Sequence, residues 1–471
     1  MSMSEEGPGE GASGSRSSTS GASGPTTYVC ELAWLPPGEI HAEVVVEIDG
    51  GRFVRVDPGG LSPDHATRLP GLTFPGFANA HSHAFHRALR GRTHKGHGSF
   101  WAWRELMYAV AGRLDPDRYL GLARAAFAEM ALAGFSSIGE FHYLHHQPDG
   151  TPYSDANQMG EVLITAAREA GLRIALLDTC YLTGGFGEEL DGVQRRFGDR
   201  DAAAWAERAG DLHLRYEGAG DVVIGAAVHS VRAVPRAQIP VVARWAEERG
   251  APLHAHVSEQ PAENDACLAT YGVTPTGLLE EAGALGPRST AVHATHLTDA
   301  DIQALGGSRT RVCFCPTTER DLADGIGPAG RLVSAGARLT LGTDSHAIID
   351  GFEEARAVEL DLRLATGERG HLATSTLLEA LTASGQASLG FGDAGRLEAG
   401  ARADLVTVDL TSVRTAGGSV EDAADRVVFA ASPVDITDVI VDGRVVVRDR
   451  GHRLGDVGKL LGDAIAALDE G

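Results

Sequence analysis

Phe77-Ala-Asn-Ala-His-Ser-His-Ala84 is the stretch on which the fold is decided. Side chains at i and i+2 of a strand project from one face, so an apolar run ending in His81 and His83 offers two imidazoles to one point. Taken alone, such a pair has a commoner explanation in solvent or in hydrogen bonding. Its company changes that balance. Ala251-Pro-Leu-His-Ala-His-Val-Ser-Glu259 reads as a short buried strand that ends on His256, with Glu259 just beyond. Thr290-Ala-Val-His-Ala-Thr-His296 is a further apolar strand, carrying His293, and Asp344 follows the apolar run in Arg338-Leu-Thr-Leu-Gly-Thr-Asp-Ser-His346. Each chemically capable group stands at the carboxyl end of a strand, where a parallel barrel builds its active site.

The rest of residues 72–394 fits that architecture. Helical periodicity, as in Arg118 to Ala133 with Gly134 as a stop, alternates with apolar runs at Gly71–Ala78, Ser136–Glu140, Ile174–Thr179, Val222–Val228, Pro252–His256, Thr290–His293, Val312–Cys315 and Arg338–Thr343. The pattern predicts an α/β fold, a (β/α)8 TIM-type barrel. An open doubly wound sheet is the alternative, but it would not gather groups from its first, fifth, sixth and eighth strands. Flanking segments at 27–71 and 395–450 alternate in strand fashion with Asp49-Gly50 and Asp442-Gly443 turns. Neither is large enough to stand alone, so both chain ends are expected to form one small composite β-sandwich. Residues 1–26, rich in Ser and Gly, read as a disordered tail, and 451–471 as a helical segment.

Bulk properties narrow the function. A chain of 471 residues, 43% hydrophobic, can bury a large core, and a net charge of −23 argues against a nucleic-acid surface. No stretch reaches a membrane span and no signal core opens the chain, which points to the cytoplasm. Five cysteines are an odd count with no disulfide framework to join, and Cys313-Phe-Cys315 reads as strand packing.

Three imidazoles and a carboxylate, from His81, His83, His256 and Asp344, suit one divalent ion per subunit, zinc foremost, although iron and manganese accept the same set. Such an ion acidifies water. Asp344 is placed to accept that proton, Glu259 to carry it to substrate and leaving amine, and His293 to polarise the group under attack, which describes hydrolysis at an sp² carbon.

These motifs, His81-x-His83, His256-x-x-Glu259, His293 and Thr343-Asp344-Ser-His346, resemble the deaminase branch of the amidohydrolase superfamily over roughly residues 27–450. His254 shares a strand face with His256, but only His256 has the glutamate three residues on. His81-Ser-His-Ala-Phe-His-Arg-Ala88, Phe100-Trp-Ala-Trp-Arg-Glu-Leu-Met-Tyr108, Gly139-Glu-Phe-His-Tyr-Leu-His-His146 and His229-Ser-Val-Arg-Ala-Val234 are similar to the formimidoylglutamate deiminase family of histidine degradation. That resemblance implies a small dicarboxylate substrate, a homodimer, and substrate contacts from Arg104, Tyr143, His229 and Arg232, while charge and hydropathy leave no nucleic-acid or membrane partner expected. It departs at His86, where the family has glutamine; imidazole still donates to a carboxylate, so His86 stays a candidate contact. A neighbouring reading is a zinc aminohydrolase of a purine, pyrimidine or pterin ring, and a rival of another class is a silent metal-binding protein. Trp101 and Trp103 are expected to wall the pocket or pack the core, His296 and His346 to orient inner groups, and His145 and His146 to serve solvent or loop roles.

Overall fold

Gly76 is where the chain leaves one sheet for the other. A Cβ there would lie 2.3 Å from Ser136 Oγ, so the crossing is tight enough to demand glycine. In the computed structural model, which describes residues 25–94 and 100–469 (side chains of 100–102 excepted), Thr67–Pro75 belongs to the flanking sheet. The first barrel strand is Phe77–Ser82 (β1). The expected strand Gly71–Ala78 therefore joins the end of one element to the start of another. Hydropathy does not separate them, because the apolar run Leu72 to Ala78 spans the end of one and the start of the other.

The remaining barrel strands are Phe135–His142 (β2), Arg173–Cys180 (β3), Val222–Val228 (β4), Leu253–Val257 (β5), Ser289–His293 (β6), Arg311–Phe314 (β7) and Arg338–Leu341 (β8). They pair in sequence order and in parallel. The ring closes through β1 and the residues after β8: His81 O accepts from Thr343 N at 3.1 Å and from Asp344 N at 3.0 Å, and His83 N donates to Asp344 O at 3.2 Å. Helices fill the crossovers. Between β1 and β2, for example, Pro116–Leu132 starts at Asp115, whose side chain accepts from Arg118 N, and the chain turns at Gly134 with φ +87°. No helix among the described residues is long and apolar enough to cross a membrane.

Both chain ends meet in a single eight-stranded sheet. Its join is antiparallel, Phe74 opposite Val406 and Thr73 opposite Thr407. The sheet curls, so that Phe53 N donates to Ala401 O at 3.0 Å and Ala403 N to Gly51 O at 2.9 Å, enclosing a core of Tyr28, Val44, Val46, Phe53, Leu405 and Ile440. Asp442 and Gly443, at φ +48° and +74°, make one of its hairpin turns. Gly451–His452 adds an edge strand, and Val457–Asp469 forms the last helix. The tail reading of residues 1–26 falls almost entirely outside the described residues, since Thr26 already begins a strand.

Arg173, fully buried at the start of β3, ties barrel to sheet by donating to Asp404 at 2.9 Å and Asp442 at 3.0 Å. Removing it strands a buried carboxylate. Arg173→Met is expected to cost about 3–5 kcal/mol, read as a lower midpoint in urea unfolding. Arg52→Met, which breaks the exposed pair with Asp393, should cost less than about 1 kcal/mol.

Candidate active site

The strand ends converge as their residue types require. His81 Nε2 lies 3.1 Å from His256 Nε2, and Asp344 Oδ1 lies 3.4 Å from His81 Nε2 and 3.3 Å from His83 Nε2. His81 is the last-but-one residue of β1, whereas His83 falls just beyond the strand rather than on it. Its ring still turns inward because Nδ1 is hydrogen-bonded to Phe141 O at 3.0 Å. His256 Nδ1 is held in the same way by His229 O at 2.8 Å.

This geometry tests whether a metal fits. A carbonyl accepts only, so Nδ1 of His83 and of His256 carries the proton and each Nε2 is a bare lone pair. Burial holds the imidazoles neutral: it lowers His81, pushes His83 down to about 3 and puts His256 well below the usual range. Asp344 stays anionic; burial would raise it, but the imidazoles around it, His81 first and then His293 and His83, hold it below the usual carboxylate range. Converging lone pairs and an anion, without a cation between them, would repel. Donors at zinc-like distances of about 2.0–2.2 Å from an ion stand roughly 3.0–3.5 Å from one another, the spacing seen. His81, His83 and Asp344 therefore offer a cradle for a divalent ion, with His256 beside it.

His293 stands on the other side. Its Nε2 is 3.9 Å from both Glu259 Oε1 and Asp344 Oδ2, and its backbone takes φ +68° to reach that position. Ser258 and Asp344, at φ +51° and +42°, share this left-handed geometry just past two other strand ends. Such strain persists where packing over-determines the residue, and it clusters at functional sites. Burial alone would lower the His293 pKa, but the Glu259 charge, the Glu319 hydrogen bond and Asp344 raise it well above the usual range.

From this cluster a cavity opens, lined by His86, Arg104, Tyr143, His229, Arg232 and Glu259 among others. His86 Nε2 meets Tyr143 OH at 3.0 Å, and Trp103 packs edge-on against His86 with centroids 5.2 Å apart. The Trp101 side chain lies outside the described residues. Arg104 Nε donates to Tyr108 OH at 2.6 Å. Arg232 faces Glu259 and Glu263 at 3.9 and 3.6 Å, too long for hydrogen bonds.

Other histidines sort by position. His254 lies one layer deeper in the barrel and contacts Ser388 O at 3.0 Å. His346 Nδ1 meets Thr343 Oγ1 at 2.9 Å, beside the Asp344 turn, while His296 Nε2 donates to Asp324 O at 2.7 Å. His145 and His146 are not solvent-facing: both are buried, against Thr179 O and Gly198 O, because the loop after β2 folds back under Arg196. Cys313 and Cys315 pack with Ala80 and Val292, and burial raises the Cys315 thiol.

Buried acids beside the site escaped the sequence reading, Glu319 and Glu140 among them. Glu319 Oε1 is 3.3 Å from His293 Nδ1 and accepts from Cys315 N at 2.9 Å. Glu140 on β2, pushed up to about 8 by burial, accepts from Ser82 Oγ at 2.6 Å and Ala84 N at 2.7 Å, clamping the turn that carries His83. The only local signal for Glu319 is a glutamate soon after a strand end, which many solvated residues share.

The chain belongs to the amidohydrolase family, whose model matches residues 72–446. It is a hydrolase acting on carbon–nitrogen bonds. It is 37% identical to formimidoylglutamate deiminase of Pseudomonas aeruginosa over 90% of this chain and 94% of that one. Identity to 5-methylthioadenosine/S-adenosylhomocysteine deaminase of Halobacterium salinarum is 29%, over 87% and 89% of the two chains. Among solved structures, an amidohydrolase from Brucella melitensis superposes with a TM-score of 0.88 at 32% identity, covering 94% of this chain and 99% of that one.

Purified protein is expected to hold about one divalent ion per chain, and Asp344→Ala to lose most of it in elemental analysis. Glu319→Gln, which leaves the cradle intact, should keep the ion and lower kcat by about 10–100-fold.

Proposed function

We propose that the protein hydrolyses N-formimino-L-glutamate to N-formyl-L-glutamate and ammonia, a step of histidine degradation. The observation that carries this reading is Arg232. Its guanidinium lines the cavity close to the His/Asp cluster and donates no hydrogen bond among the described residues, so its donors suit an arriving carboxylate. Arg104 lines the same cavity and supplies a cation for the second carboxylate of such a substrate. The 37% identity to a formimidoylglutamate deiminase supports the same assignment.

A divalent ion, zinc by its fit to three imidazoles and a carboxylate, supplies Lewis acidity that makes water reactive near neutral pH. The chain's own groups do the rest. Asp344 accepts a proton from the attacking water at a carboxylate oxygen, as that water's oxygen bonds to the formimino carbon. His293 Nε2, held by Glu319 and facing Glu259 Oε1 at 3.9 Å, stabilises negative charge as the C=N bond becomes single. Protonated Glu259 delivers a proton to the imino nitrogen, then takes the proton of the new hydroxyl group and passes it to the departing amine, and the proton left on Asp344 restores Glu259. The C–N bond breaks, ammonia leaves and the formyl C=O forms.

A second reading has one observation in its favour. Trp103, Tyr108, Tyr143, Tyr181 and Phe197 wall the cavity, and aromatic faces suit a heterocycle of the kind that the Halobacterium salinarum relative's name specifies. A neutral ring, however, has no use for Arg232.

Ammonia release measured across N-formimino-L-glutamate, N-formimino-L-aspartate, guanine, cytosine and adenosine separates the two. Turnover of the first well above the rest is expected, and turnover of a ring alone would overturn the assignment. Arg232→Met should raise KM for the dicarboxylate by about 10–100-fold. Glu259→Gln should abolish turnover while the bound metal is retained.

A further inference from the structure

Glu263 lies one helical turn beyond Glu259, in the first turn of the helix Pro261–Tyr271. An acid in that position is ordinarily a solvated charge that favours a helix N-terminus. Here it is 2% exposed. One of its oxygens, Oε2, accepts from the backbone N–H of Glu259 at 3.3 Å, and the other, Oε1, is 3.6 Å from Arg232 Nε. Both Oε1 and Arg232 Nε are buried without a hydrogen-bond partner. A buried carboxylate with a spare oxygen costs stability unless the charge it faces compensates it.

The guanidinium is planar and presents its donors along distinct edges. Nε faces Glu263 and Nη2 is 3.9 Å from Glu259 Oε2, while about a quarter of the side chain remains open to the cavity. Glu263 thus backs the inner edge of Arg232 and turns the outer edge toward the space where a substrate would sit. Through its second oxygen it also holds the strained turn at Ser258, φ +51°, from which Glu259 projects.

We infer that Glu263 is a positioning residue that couples recognition of a substrate carboxylate to catalysis, by holding the Arg232 guanidinium and the Glu259 backbone against one buried carboxylate. This rests on the reading of Arg232 as a carboxylate anchor. It makes Glu263 a determinant of specificity although it touches no substrate atom. With Glu263 in place, Arg232 meets a ligand carboxylate already oriented, so less freedom is lost on binding. Without that charge behind it, the guanidinium falls back on Glu259, pairing with the group that must move protons.

The test compares Glu263→Gln and Glu263→Asp with the wild type on N-formimino-L-glutamate and on two analogues that each lack one carboxylate, 4-(formimidoylamino)butyrate and N-formimino-L-alanine. Glu263→Gln keeps the volume and removes the charge; Glu263→Asp keeps the charge. The expected result for Glu263→Gln is a loss of about tenfold or more in the preference, by kcat/KM, for the dicarboxylate over the analogue that lacks the Arg232-bound carboxylate. Most of that loss should lie in KM. Glu263→Asp should restore part of the preference, and calorimetric binding of N-formyl-L-glutamate should weaken in the same order. Metal content and thermal midpoint are measured alongside. An equal fall on all three substrates, as a merely structural role predicts, overturns the inference, and so does an unchanged preference. Wild-type protein that turns over none of the formimino compounds overturns the functional reading itself, whereas wild-type turnover with an indifferent Glu263→Gln removes only the role of Glu263.

Discussion

The closing seam of the barrel is the constraint on which the site depends. His81 O accepts from both Thr343 N and Asp344 N, and His83 N returns a hydrogen bond to Asp344 O, so the first and last strand ends are locked in register. Gly342 permits that approach: a Cβ there would stand 2.7 Å from His81 Cβ and 2.8 Å from His81 O. Residues some 260 positions apart are thereby fixed side by side, with Asp344 Oδ1 within 3.4 Å of two imidazole nitrogens. A slip of one residue at this seam would turn either the imidazoles or the carboxylate out of the barrel, because strand side chains alternate.

Burial then sets the electrostatics. The imidazoles of His81, His83 and His256, withdrawn from water, remain neutral, which leaves lone pairs for a cation, whereas His293 is raised by its acidic neighbours and Asp344 is held anionic by the imidazoles around it. The acids that are not metal candidates are distributed with the same economy. Glu140 braces the turn after β1, Glu319 backs His293 and Glu263 backs Arg232, whereas backbone carbonyls hold His83 and His256. In a low dielectric such partners orient a side chain more firmly than exposed pairs do, and strained positions such as His293 at φ +68° can be held.

The flanking sheet serves the same end from a distance. Its join between Thr67–Pro75 and Leu405–Val408 brings the two ends of the chain together beneath the barrel, and Arg173 pins the two bodies through Asp404 and Asp442. The site at the opposite mouth is left open, with aromatic walls and arginines around a single cavity.

By itself the sequence determined the alternation of helix and strand, the eight barrel segments, and the histidines and aspartate at their ends. Those signals are local: hydrophobic periodicity records which face is buried, and a ligand at a strand end is displaced little by an error of a residue or two. The first strand was the exception, since Gly71–Ala78 and Phe77–Ser82 are parts of one unbroken buried stretch and only the close pass of Gly76 against Ser136 separates two sheets within it. Tertiary structure alone decided the fate of the charged residues. Glu263 and Glu319 look like ordinary helix-start acids, and His145 and His146 like solvated loop residues, until packing removes the water from around them. A charge takes its meaning from its partners and its dielectric surroundings, and these are supplied by chain segments tens to hundreds of residues away.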